Sequence, residues 1–353
     1  MSEQASSKLE KFKLDPASGR RLALAAERIG ELRLLDRLWP LWRAFAEGPW
    51  RARCFAADAT LRGRPVELKE LLVLGPTPRP NRPNLATRWA IGQMLTLARL
   101  QEEDPGRPMG LHTVAEVLKN IDAPQMARRA GLSALESPAG DPPPAAAVWS
   151  LCHRWVEAGL APLVAIALAL AAWEREGPNH NHRSAAGRVL VMGLATRLGL
   201  PAEAFNALAA GMVRAAGDDY DLTAIIKRLR SGRGWRWWLG VFMTATQYSA
   251  SLALEAGLAA RELHQDHKDL VLTWVRAPRH PLRLLELFIA RPVVDLPTIA
   301  KQLQVTQRTA GLLAKKLLNL GLIEEITGQR RGRRYAYSQL IEILNGNPPQ
   351  PEA

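Results

Sequence analysis

Residues 178–190, PNHNHRSAAGRVL, gather the side chains of this sequence best suited to chemistry. His180 and His182 are two imidazoles one residue apart, Ser184 is a hydroxyl, and Gly187-Arg188 sets a backbone without Cβ beside a guanidinium. A histidine here can take the proton of an attacking hydroxyl, and an arginine near a helix start can hold an anion. The two histidines could also ligate a metal. No cysteine joins them, however, and the nearby carboxylates are Glu174 and Glu176 alone. Paired histidines in a polar turn more often hydrogen-bond to water, so no metal site is expected. Ser184 and a histidine with no third partner make an incomplete nucleophilic set.

The stretch lies between two apolar runs, and helices must position it. Gly159–Trp173 is bracketed by Glu157 and Glu174. At about 15 residues it is too short to cross a bilayer, so it reads as a buried helix. Helical spacing extends over most of the chain: 22–48 (Leu22, Leu24, Ile29, Leu32, Leu35, Leu38, Leu41), 85–101, 111–121, 145–158, 161–175, 184–198, 202–216 and 235–263. Proline-rich breaks fall at 75–84 and 137–147, the latter ending in prolines suited to a first helical turn. Residues 264–281, with HQDHKD and RAPRHP, read as a linker, and 346–353 as a disordered tail. The fold class expected is mainly α.

Lys and Arg number 47 against 34 Asp and Glu, a net charge of +13 that favours an anionic partner, nucleic acid first. Cys54 and Cys152 match no metal spacing and suit a reducing compartment. The polar first residues show no signal peptide, so a cytoplasmic, nucleoid-associated protein is expected, with no membrane partner.

The charge concentrates at the C-terminal end. Between Arg276 and Ala353 there are 12 Lys/Arg and 6 Asp/Glu. RLLELFIARP is a first helix. Asp295 and Pro297 then open PTIAKQLQV, and Thr306 caps TQRTAGLLAKKLLNLG, which Gly321 closes. LIEEIT and YAYS alternate like two strands around the turn GQRRGRR. Helix, helix, turn, helix and hairpin make a winged helix-turn-helix over 282–345. Its third helix would offer Thr306, Gln307, Arg308 and Thr309 to base edges in the major groove of double-stranded DNA, with Lys315 and Lys316 further along. Arg330, Arg331, Arg333 and Arg334 on the wing would hold phosphates or enter the minor groove. The other reading of such a module is a protein-contact adaptor with a solvated arginine turn.

VVDLPTIAKQLQVTQRTAGLLAKKLLNLGLIEEITGQRRGRRYAY resembles the winged-helix domains that stand behind Fic-type domains. Residues 45–263 resemble the Fic domain itself, a helical nucleotidyl transferase. CFAADATLRGRPVELKEL, PPPAAAVWSLCHRWVEAG, LVAIALALAAWEREGPNHNHRSAAGRVLVMGLATRLGL and GWRWWLGVFMTATQYSASLAL follow one another in that family's order. The resemblance puts His180 at the catalytic histidine and Ser184 at the acid that holds magnesium. Ala185 and Ala186 replace a Gly-Asn pair, Gly187 and Arg188 keep the Gly-Arg, and Val191 stands where a second arginine grips phosphate. A neutral serine is a poor Mg²⁺ ligand, and an alanine Cβ obstructs close approach of a phosphate. The motif His180, Ser184, Gly187, Arg188 is therefore expected to be vestigial, with no catalytic residue and no cofactor. Arg188 could retain an anion pocket. In RLRSGRGWRWWLG, Trp235, Trp237 and Trp238 match core positions of the family's last helix, and the basic residues could extend a face towards DNA.

These features lead to an expected bacterial, sequence-specific DNA-binding protein, a transcriptional regulator. Residues 1–44 form an N-terminal helical region, and the inactive Fic-like domain serves dimerisation or the sensing of a small-molecule or protein effector. Homodimerisation is expected because one winged helix reads only a short site. A Fic-type nucleotidyl transferase acting on a protein hydroxyl, and a plasmid replication or maintenance factor, are the alternatives.

Overall fold

The structure, a computed structural model, describes residues 14–61, 65–74, 144–176, 183–217, 234–329 and 332–346, with isolated helical positions at 87, 90, 94 and 97. It is mainly helical, with one small sheet. The described residues within 1–32 and 92–251 form one compact unit, and those within 33–91 and 252–353 form a second.

The first helix, α1 (Pro16–Leu38), starts on an Asp-Pro pair. Asp15 accepts the backbone N–H of Ala17 and of Ser18 at 3.0 Å and the Ser18 hydroxyl at 2.8 Å. These bonds hold the Asp15 carboxyl below its ordinary range, Ser18 contributing most. The apolar spacing of 22–48 predicts one helix, but Pro40 divides it. The buried stripe is Ala25, Ile29, Leu32 and Leu35, whereas Leu24 and Leu38 face solvent. The chain turns at 39–41 and continues as α2 (Trp42–Phe45), a π-turn (Ala46–Trp50) and α3 (Arg51–Leu61), followed by α4 (Leu68–Leu74).

In the first unit, α5 (Pro144–Glu157), α6 (Pro162–Glu176) and α7 (Arg183–Arg197) pack in sequence. Every residue of α6 from Leu163 to Trp173 is buried, as befits a helix that is apolar all round. A 3₁₀ turn (Ala202–Phe205) and α8 (Leu208–Ala216) follow, where the Ser249 hydroxyl accepts the Ala207 N–H at 3.0 Å. The long α9 (Trp235–Trp274) supplies its first 17 residues, Trp235–Ser251, to this unit. Its Trp238 is buried and donates its indole N–H to the Ala167 carbonyl at 2.8 Å, so this tryptophan belongs to the core. Among the described residues, no helix is long and apolar enough to cross a membrane.

The second unit holds the rest. Helix α9 does not stop at residue 263; it runs through the first eleven residues of the expected linker. Its inner face, Ala256, Ala260, Leu263 and Val271, is buried. There follow α10 (Arg279–Ala290), β1 (Val293–Asp295), α11 (Leu296–Leu303), α12 (Gln307–Asn319), β2 (Glu324–Glu325), β3 (Arg334–Ala336) and α13 (Ser338–Asn345). The sheet order is β1-β3-β2, antiparallel throughout, with Val294 opposite Tyr335 and Glu325 opposite Tyr335 on the other side.

Residues 42–50 and 68–74 pack on this C-terminal module: α2 and the π-turn on α10, and α4 on β1. A Cβ on Gly48 would stand 2.8 Å from the Ala290 carbonyl oxygen, so the two backbones meet where only glycine fits. Arg53 Nε donates to the Leu344 carbonyl at 2.9 Å, satisfying the end of α13. Tyr337 is fully buried, its hydroxyl 2.7 Å from His267 Nδ1 on α9 and its ring edge-on to Phe288.

Burial holds both His264 and His267 below the ordinary imidazole value of 6.5. Lys268 and His267 push His264 the same way, while Asp266 and Gln339 partly restore His267. The unfolded chain therefore takes up protons first. Their contribution to stability is full above 6.5 and is lost as the pH falls through the lowered folded values. The melting temperature is expected to drop between about pH 7.5 and about pH 5.5, and less so in a His264→Gln, His267→Gln variant. Equal slopes in both proteins would refute this.

Candidate nucleic-acid interface

The helix-turn-helix is built from α11 and α12, held from behind by α10. Asp295 caps α11, accepting the Thr298 N–H at 2.9 Å, with Pro297 in the first turn. The helix ends on Gln304 at φ 56 and ψ 46, the one non-glycine with positive φ among the described residues. Val305 N–H then reaches back to the Ala300 carbonyl at 3.0 Å, closing the tight turn. Thr306 caps α12: its hydroxyl accepts the Thr309 N–H at 3.2 Å and lies 2.9 Å from the Thr309 hydroxyl. At the other end Gly321 sits at φ 70. Leu322 N–H bonds the Leu317 carbonyl and Gly321 N–H the Leu318 carbonyl, which leaves no abrupt loss of partners.

Helix α12 buries Ala310, Leu313, Ala314 and Leu317. The opposite face is open. Gln307, Arg308, Lys315 and Lys316 are exposed, as the sequence reading requires of side chains that meet DNA. Thr309 is half-buried and tied to Thr306, so these two residues shape the helix start as well as lining it. Leu312, which the sequence reading passed over, lies one turn beyond Arg308 and is 57% exposed. In LLAKKLL, periodicity alone does not say which leucines face the core, and only the packing against α10 and α11 decides it.

The wing is anchored at its root. Glu325 accepts the Thr327 N–H at 2.9 Å, the Gly328 N–H at 3.0 Å and the Thr327 hydroxyl. These bonds, Thr327 above all, hold its carboxyl below the ordinary range, with Arg333 contributing a small attraction. The Thr327 hydroxyl oxygen in turn accepts the Arg334 N–H at 3.3 Å, joining the two sides of the loop. Arg333 is exposed and donates Nε to the Gln329 carbonyl at 3.1 Å, and Arg334 is half-exposed on β3. Arg330 and Arg331 lie outside the described residues. Among the described residues, Arg308, Lys315, Lys316, Arg333 and Arg334 enter no ion pair, so their charge is available to an anionic partner.

The other candidate stretch is arranged differently. His180 and His182 lie outside the described residues, and Ser184 falls in the first turn of α7. Gly187 is placed by packing. A Cβ there would come 2.7 Å from Trp173 Cδ1 and 2.9 Å from Leu170 Cδ1. Arg188 is only 5% exposed and already interacts within the protein, so it is not presented to a ligand at the surface. Gly187→Ala is expected to destabilise by roughly 1 kcal/mol net, overpacking against the rigid Trp173 outweighing the gain in helix propensity. Gly311→Ala on α12, with open space around it, is expected to stabilise by up to about 1 kcal/mol. Denaturant midpoints of the two variants check the contrast.

Other chemistry finds little support among the described residues. Burial pushes the Cys54 and Cys152 thiols up to about 12, so neither is a thiolate near neutral pH. No three His, Cys, Asp or Glu side chains come together there as metal ligands.

Residues 282–337 match the family model of a helix-turn-helix DNA-binding domain. No curated protein matches the chain. The match begins within α10, ends at the buried Tyr337, and covers both α12 and the wing.

Proposed function

We propose that this helix-turn-helix protein binds double-stranded DNA in a sequence-specific manner and regulates transcription. The observation that carries the reading is the outer face of α12. Gln307, Arg308, Leu312, Lys315 and Lys316 stand exposed on a segment matched by a DNA-binding model, with the wing arginines beside it in the sequence order of a winged helix. Gln307 and Arg308 at the helix start read base edges, Leu312 meets an apolar edge such as a thymine methyl, and the lysines meet phosphates. Arg333, Arg334 and the neighbouring Arg330 and Arg331 hold the flanking backbone or a narrow minor groove.

The helices resembling a Fic domain act in this reading as a scaffold for dimerisation and effector sensing, not as a catalyst. The packed Gly187 and the engaged, buried Arg188 support that assignment. Incubation with labelled ATP and Mg²⁺ tests it; self-labelling abolished by His180→Ala would overturn it.

The DNA reading is tested by titrating duplex DNA at two salt concentrations and sequencing the fragments the protein retains. The logarithm of affinity is expected to fall with the logarithm of salt at a slope of about −0.9 per phosphate contact. Alanine at the four wing arginines flattens it. No duplex binding at low salt would leave a protein-contact role for the module instead.

A further inference from the structure

The second half of α9 carries a stripe that its packing within the unit leaves open. The inner face, Ala256, Ala260, Leu263, His267 and Val271, is turned into the unit, with His267 against Tyr337. Successive residues of a helix turn by roughly 100°, which puts Leu258, Gln265 and Leu272, spaced by seven, in one column on the opposite side. Leu258 is 46% and Leu272 48% exposed. Arg261 and Lys268 flank this column on one side, and Glu262 and Asp269 on the other. Among the described residues Arg261, Glu262 and Lys268 enter no ion pair, and the Asp269 carboxylate accepts the Gln265 side-chain amide at 3.0 and 3.1 Å.

We infer that this stripe is the interface between two copies of the chain, paired with their α9 helices parallel. The inference deepens the dimer reading above and rests on it. Two-fold symmetry along the helices sets the basic side of each copy against the acidic side of the other. Arg261 then meets the partner copy's acidic column at the height of residue 262, and Lys268 meets it at residue 269, each about 1.5 Å apart along the axis. Leu258 and Leu272 close the seam on their own counterparts, and Gln265 meets its counterpart between them, a polar pair that fixes register. Antiparallel pairing would instead set basic side against basic side and acidic against acidic, so the charges select one orientation.

The test uses the full chain without DNA, by sedimentation velocity over a range of concentrations. The wild-type protein is expected to dimerise reversibly. An acidic variant (Arg261→Glu, Lys268→Glu) and a basic variant (Glu262→Lys, Asp269→Lys) are each expected to dimerise at least roughly tenfold more weakly, and an equal mixture to associate again. Under mild oxidation Leu258→Cys is expected to form a disulfide with its own counterpart, since the native thiols are buried. Dimers that ignore both charge variants would overturn this interface and leave the dimer reading standing. A monomer at every concentration would overturn both. Cross-linking of Leu258→Cys only when mixed with Leu272→Cys would overturn the parallel arrangement.

Discussion

Arg308→Ala is expected to cost the specific DNA complex about 1–3 kcal/mol and to relax selection at one base position. The guanidinium stands exposed at the start of α12, and the Thr306 cap fixes where that start lies. Lys315→Ala with Lys316→Ala is expected to act differently. Two phosphate contacts are lost, all duplexes are bound more weakly in proportion, and the salt slope flattens by about 2. The pair of experiments separates reading from holding. Loss of specificity in the lysine variant with none in Arg308→Ala would show that α12 does not lie in the groove as drawn. Leu312→Ala offers a finer check, because it changes no charge: affinity should fall at sites with a thymine in reach and the salt slope should stay.

Tyr337→Ala is the substitution expected to disturb folding most. It removes a fully buried ring from between Phe288 and His267 and leaves His267 Nδ1 without its partner. Truncating a buried aromatic costs about 3–5 kcal/mol, a large part of the roughly 5–15 kcal/mol that holds a protein folded. Because α9 is tied to the wing through this residue, the loss should reach α9 as well as β3. Hydrogen exchange should quicken in 256–271 and in 334–344 together. Tyr337→Phe keeps the ring and removes only the hydroxyl, so about 1–3 kcal/mol is expected. Faster exchange confined to 334–344 would show that the His267 contact carries no coupling.

Much of this architecture was readable in the residues, for reasons that can be named. The helices from Pro144 to Arg197 fall within two residues of their sequence-derived ends, because their apolar periods are long and bounded by proline and glycine. Asp295, Thr306 and Gly321 signal their caps through local chemistry, which tertiary packing did not override. Strand β1 was not legible, since three residues show no period and Val293 and Val294 take their strand identity from pairing with β3. Helix α13 was missed although Leu340, Ile343 and Leu344 form an inward face ahead of Gly346. The polar run HQDHKD reads as a linker because its outer side is charged, and its inner side offers only the half-buried His264 and His267, whose partner Tyr337 lies far along the chain. At the interface, the exposed cations of α12 follow directly from the sequence, while the exposure of Leu312 depends on neighbours far along the chain.

The docking of residues 42–50 and 68–74 on the C-terminal module bears on how the chain's activities would be mapped by truncation. The compact unit that holds α12 is discontinuous, made from Arg33–Ile91 and Leu252–Ala353. A fragment beginning at residue 282 would lose the segment that meets Ala290 and the arginine that bonds Leu344. Removing the first 74 residues would weaken DNA binding from the opposite end of the chain, and a deletion series would credit those residues with a recognition they only support. A faithful minimal version would join the two pieces, not trim to one.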